Sequence, residues 1–132
     1  MINNLSKDEC KSFLQLAYLA ILSNGKVDEN EEKVFVGYSK KLGIDFVPEE
    51  YKSVELDDVI SEISKYESKS QRIILAETIG VLYSDEIYDD SEKSFVKQVG
   101  EKLGFSEIVV LSIEEAVYNY ISAYDVLIKA VE

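Results

Sequence analysis

Apolar residues recur along most of this chain at three- and four-residue spacings, the period of one face of an α-helix. Cys10, Phe13, Leu14, Ala17 and Ile21 form one such stripe, while Leu16, Leu19 and Ala20 put apolar groups on the other side of the same segment. A helix that is apolar nearly all round belongs at the centre of a bundle. Ser6 followed three residues later by Glu9 is a capping-box pattern, so this helix opens there and runs to about Ser23. Gly25 then supplies a position that tolerates positive φ just past a helix end. Asp28 and Glu31 offer a second capping pair, for a helix with Val34, Phe35, Tyr38 and Leu42 on one face and Gly43 at its end.

In the connection over 45–67, Pro48 suits the first turn of a short helix, with Glu49 and Glu50 well placed for its dipole. Val59, Ile60 and Ile63 predict an amphipathic helix over about Leu56 to Tyr66. Ser68 and Gln71 are expected to cap the next long helix, in which Ile73, Ile74, Leu75, Ala76, Ile79, Val81 and Leu82 again occupy much of the circumference. Phe95, Val96, Val99 and Leu103 mark a further helix that stops at Gly104. Ser106 can cap a closing segment, where a 3.6-residue rhythm runs from Ile113 through Val117, Tyr120, Tyr124 and Leu127 to Val131. The pattern leaves open whether 107–132 is one helix or two.

Two of these hairpins echo each other at an offset of 61 positions, without a gap. From Ser23 to Gly43 that register gives six identities: Ser23/Ser84, Asp28/Asp89, Glu31/Glu92, Lys41/Lys102, Leu42/Leu103 and Gly43/Gly104. Asn24/Asp85 and Glu29/Asp90 are conservative pairs in the same register. One hairpin cannot cover the two-sided apolar surface of its first helix, so the expected fold is all-α. It is a single-domain bundle over 1–132 of about seven helices, built on two similar hairpins as an internal repeat.

Charge narrows the function. With 26 Asp and Glu against 14 Lys and Arg, the formal charge is −12. Such a surface repels phosphate backbones and anionic lipid, so neither nucleic acid nor a membrane is expected as a direct partner. Cations, basic peptides and an unidentified protein partner remain. The chain has no histidine and one cysteine, Cys10, which removes an imidazole base, a His-ligated zinc and an intrachain disulfide. The glycines are scattered helix stops rather than a phosphate loop. With no apolar signal core near Met1, a cytoplasmic, non-enzymatic protein is the expectation.

The two hairpin turns concentrate the acid. Over Asn24–Glu32 the formal charge is −3, and over Asp85–Lys93 it is −4. Two explanations fit. Asp28 and Asp89 are placed as N-caps, with Glu31 and Glu92 reaching back to the cap amide, each cap worth roughly 1 kcal/mol. Alternatively, Asn24 and Asp85 lie before the turn, outside that capping logic. Each, with the glutamate seven positions on, would bring two hard oxygen donors to one turn. Oxygen donors suit Ca²⁺, Mg²⁺ or Mn²⁺ better than Zn²⁺.

The run Asn24-Gly25-Lys26-Val27-Asp28-Glu29-Asn30-Glu31 resembles the Asp-Gly-x-Val/Ile-x-x-x-Glu signature of TerB-like domains, named for a tellurite-resistance protein. Asp85-Glu86-Ile87-Tyr88-Asp89-Asp90-Ser91-Glu92 resembles its second occurrence, and Leu42-Gly43 and Leu103-Gly104 fit the helix ends. The first copy has Asn24 where the family prefers aspartate, and the second has Glu86 where it prefers glycine. The resemblance implies an all-helical domain of a tellurite-resistance or stress-response setting, with a divalent cation at the acidic turns. Asp85, Asp89 and Glu92 would then carry most of the affinity and Asn24, Asp28 and Glu31 less. The alternative is an acidic interaction module whose turn carboxylates only cap helices, docking a partner through its acidic face or the Tyr118/Tyr120/Tyr124 stretch.

Overall fold

The computed structural model describes residues 1–23, 25, 27–83 and 88–132. Among them a short 3₁₀ turn at Ile2–Asn4 precedes α1 (Lys7–Leu22), α2 (Glu29–Leu42), α3 (Pro48–Lys52), α4 (Leu56–Ile63), α5 (Ser68–Tyr83), α6 (Asp90–Lys102) and α7 (Glu107–Ala130). The protein is an all-α bundle. The limits of α5 fall 61 positions after those of α1 (7 to 68, 22 to 83), and α6 begins 61 positions after α2 (29 to 90).

Helix starts are set locally. Ser6 Oγ accepts from the Glu9 amide at 3.2 Å while Glu9 Oε1 accepts from the Ser6 amide at 2.8 Å, a closed capping box. Ser106 Oγ accepts from the Val109 amide and opens α7. Gly43 (φ 68°) and Gly104 (φ 82°) take the left-handed conformation just past α2 and α6, which a residue with a Cβ adopts only at a cost. One expected cap is corrected. Ser68 is the first residue of α5 rather than its cap. Gln71 instead sends its side-chain amide back to the carbonyls of Tyr66 (2.9 Å) and Ser64 (3.4 Å), closing the α4–α5 joint. That joint also ends α4 at Ile63, short of the Tyr66 the pattern predicts.

α1 is the centre of the bundle, as its all-round apolarity predicts. Phe13, Leu14, Leu16, Ala17, Tyr18 and Ala20 are fully buried, and α1 packs on α2, α3, α4, α5 and α6, most extensively on α5. Cys10 is buried with this stripe. The rings of Tyr18, Phe35, Phe46 and Tyr51 pack at centroid distances of 5.1–5.9 Å, tying the 45–52 connection to the first hairpin. Such aromatic pairs add about 0.5–1.5 kcal/mol each beyond their buried area.

α7 is a single helix, which settles the question the sequence leaves open. It docks on α6 where Gly100 lets Val110 press against the helix backbone; a Cβ at Gly100 would fall on Val110 Cγ2. It runs alongside α5 in the same direction. The Arg72 guanidinium lies 5.5 Å over the Phe105 ring near the start of both, and the Tyr83 and Tyr118 rings are 5.9 Å apart where α5 ends. Beyond Ser122 α7 continues alone, and every residue from Ala123 to Glu132 is exposed. The rhythm of its apolar residues is real, but its second half has nothing to pack against.

Candidate functional site

Both acidic turns form the capping box their sequences encode. Asp28 Oδ1 accepts from the Glu31 amide at 2.8 Å, and Glu31 Oε1 accepts from the Asp28 amide at 3.1 Å. Asp89 and Glu92 repeat the pair at the same 2.8 and 3.1 Å. The structure therefore brings Asp28 to Glu31 and Asp89 to Glu92. Asn24 and Asp85, the donors that lie before each turn, fall outside the described residues. Among the described residues no three carboxylate, cysteine or histidine side chains converge to hold a metal. Each turn thus contributes two carboxylates here, and a fuller oxygen shell would draw on Asn24, Asp85, backbone carbonyls and water.

Capping alone does not require what happens to the two glutamates. Glu9, in the same motif on α1, stays partly exposed. Its carboxyl is held below the ordinary range by the hydrogen bond from the Ser6 amide and then one from the Ser70 hydroxyl. Glu31 is only 8% exposed and Glu92 only 1%. A carboxylate withdrawn from water needs compensating donors or positive charge to remain ionised. The two turn glutamates therefore sit where a cation would act on them with little screening.

The second turn has neighbours that the sequence does not advertise. Tyr88, immediately before the cap Asp89, donates its hydroxyl to Glu114 Oε2 on α7. Its ring packs on Tyr83 at 4.5 Å, and the Lys93 ammonium lies 5.7 Å from the ring centre. Burial, reinforced by the hydrogen bond and charge of Glu114, pushes the Tyr88 phenol far above its usual range. Residues 26 apart meet here because α7 returns beside the turn, and no local spacing signals it.

A second feature lies away from the turns. An open groove of about 990 Å³ runs between α5 and α7, walled by Ile73, Ala76 and Gly80 on one side and Ile113, Val117 and Tyr120 on the other. Lys69, Arg72 and Glu77 also line it. Burial raises the Glu77 carboxyl, opposed by the positive N-terminus and Lys41.

The class these features define is a helical bundle with two capped acidic turns and an open apolar groove. No family model, curated protein or solved structure matches the chain. Among the described residues, no helix is long and apolar enough to cross a membrane.

Proposed function

We propose that this chain is a non-enzymatic, TerB-like helical module that takes a divalent cation at its acidic turns, in a cytoplasmic stress or tellurite-resistance setting. The second turn is the stronger site, with Asp85, Asp89 and Glu92 as donors; Asn24, Asp28 and Glu31 form the weaker one. The observation that carries the reading is the burial of Glu92, 1% exposed in a motif whose surface counterpart, Glu9, remains partly in water. A bound cation would supply charge that offsets the mutual repulsion of the turn carboxylates, and its effect would be to stiffen the α5–α6 hairpin. All-oxygen donors favour Ca²⁺, Mg²⁺ or Mn²⁺ over Zn²⁺.

Thermal unfolding in each of the four ions at equal ionic strength tests this. An ion at about a hundred times its dissociation constant adds about 2.7 kcal/mol. For a chain of 132 residues that is a rise of about 10 °C. Glu92→Gln should lose the rise, whereas Glu9→Gln, which removes the same motif without a buried carboxylate, should keep it. No rise for any ion, or a rise that survives Glu92→Gln, sinks the reading.

A second reading, an interaction module whose turn carboxylates only cap helices, is favoured by a different observation. The apolar stripe of α7 carries Tyr120 (73% exposed), Leu127 (56%) and Val131 (72%) into water, beside an open apolar groove.

A further inference from the structure

We propose that two copies of this chain associate through α7, the free end of each helix lying in the α5–α7 groove of the other. This rests on the interaction reading and names its partner. On a helix of 3.6 residues per turn, Ile113, Val117, Tyr120, Tyr124, Leu127 and Val131 fall on one face. The first three line the groove and the last three continue the same face past the end of α5. One stripe therefore serves as groove wall in its first half and as an uncovered helix face in its second, which is the self-complementarity a two-fold interface requires.

Lengths agree. From Ala123, where continuous exposure begins, to Val131 the helix advances about 12 Å, which fits within the roughly 17 Å that the groove wall on α5 advances from Lys69 to Gly80. An antiparallel pair crossing near Tyr120 sets Leu127 of each copy opposite Ile113 of the other. Tyr124 then stands opposite Ala116, a large side chain against a small one.

Charge selects a second copy over a basic partner. The groove carries Lys69, Arg72 and the Met1 ammonium against Glu77, a local excess of two positive charges, on a chain of net charge −12. A basic helix is poorly matched to it. The segment 116–132 carries Asp125, Lys129 and Glu132, an excess of one negative charge, and it is otherwise uncharged. Tail and groove are complementary in charge as well as in apolarity. The remaining acid of the two chains repels at longer range, so added salt tightens the dimer instead of loosening it.

Sedimentation equilibrium of the full chain, from about 1 to several hundred micromolar and with chelator present, reads the outcome directly. The expected species is a dimer at twice the 15.0 kDa chain mass. Leu127→Asp/Ile128→Asp alters only the exposed end of α7, so helix content by circular dichroism should hold while association weakens on the order of a hundred-fold or more. Tyr120→Cys, in a chain whose other thiol is the buried Cys10, should give a covalent dimer on mild oxidation, and exposed Ser61→Cys on α4 should not. A monomer throughout the range, or a dimer indifferent to Leu127→Asp/Ile128→Asp, overturns the proposal. In the monomer case anilinonaphthalene sulfonate separates the two failures. Dye fluorescence that Ala116→Arg removes means the groove takes another occupant and the interaction reading stands. No fluorescence means both fall.

Discussion

Gly100 offers the sharpest test of how α7 is held, because two effects of known size oppose each other there. In a helix interior, glycine to alanine is worth about 1 kcal/mol of stabilisation through lost backbone freedom in the unfolded chain. At Gly37, where a Cβ would meet nothing within 4 Å, that gain should appear undiminished. At Gly100 the new Cβ falls on Val110 Cγ2, and both residues are buried where α6 meets α7. Overpacking of this kind costs about 1–3 kcal/mol, so Gly100→Ala should come out between neutral and about 2 kcal/mol destabilising. One kcal/mol corresponds to about 3–4 °C in Tm for a chain of 132 residues, so Gly37→Ala should raise Tm by about that much while Gly100→Ala leaves it unchanged or lowers it. Val110→Ala alone loses two buried carbons, about 2 kcal/mol. In the Gly100→Ala background it should cost at least 1 kcal/mol less, since the alanine methyl fills the space. Urea unfolding at fixed m-value measures all four chains. Equal stabilisation by Gly37→Ala and Gly100→Ala, or strict additivity of Gly100→Ala with Val110→Ala, would refute the close contact as the support of α7.

Two further outcomes follow from the hydrogen-bonded carboxylates. The folded-state pKa of Glu9 is lowered, chiefly by the Ser6 amide, so its contribution is present above the ordinary carboxylate range and is lost as pH falls through the lowered value. Glu9→Gln should therefore cost a few tenths to about 1 kcal/mol at pH 7 and nothing in strong acid; a cost that persists unchanged at low pH would contradict this. Tyr88→Phe removes the hydroxyl that ties the second turn to Glu114 on α7 and should cost about 1–2 kcal/mol. Glu114→Gln should cost less in the Tyr88→Phe background than in the unaltered chain, and full additivity of the two in a double-mutant cycle would rule out the coupling.

Local chemistry was legible in the sequence wherever one side chain satisfies a backbone group within a turn of itself. Ser6 with Glu9, Asp28 with Glu31, Asp89 with Glu92, and Ser106 each open a helix where their spacing places it. Gly43 and Gly104 end theirs because a left-handed residue is needed there. The all-round apolarity of α1 likewise fixed its place at the centre, since no other position removes both of its faces from water. Ser68 and Gln71 carry the same local pattern and follow a different course, because the joint after α4 offers Gln71 two unsatisfied carbonyls, on Ser64 and Tyr66, that no spacing rule sees.

Tertiary structure decided the rest. Periodicity states that one face of α7 is apolar but not what covers it, and the end of α5 at Tyr83 leaves the stripe from Tyr124 to Val131 in water. The capping spacing gives Glu9, Glu31 and Glu92 the same hydrogen bonds, while burial separates them: Glu92 is enclosed by the bundle and Glu9 is not. Tyr88 meets Glu114 across 26 positions because α7 passes the second turn. Hydrogen bonds between neighbours in sequence follow from composition and spacing; burial and long-range contact depend on where whole helices lie, and that is set by the packing of all seven at once.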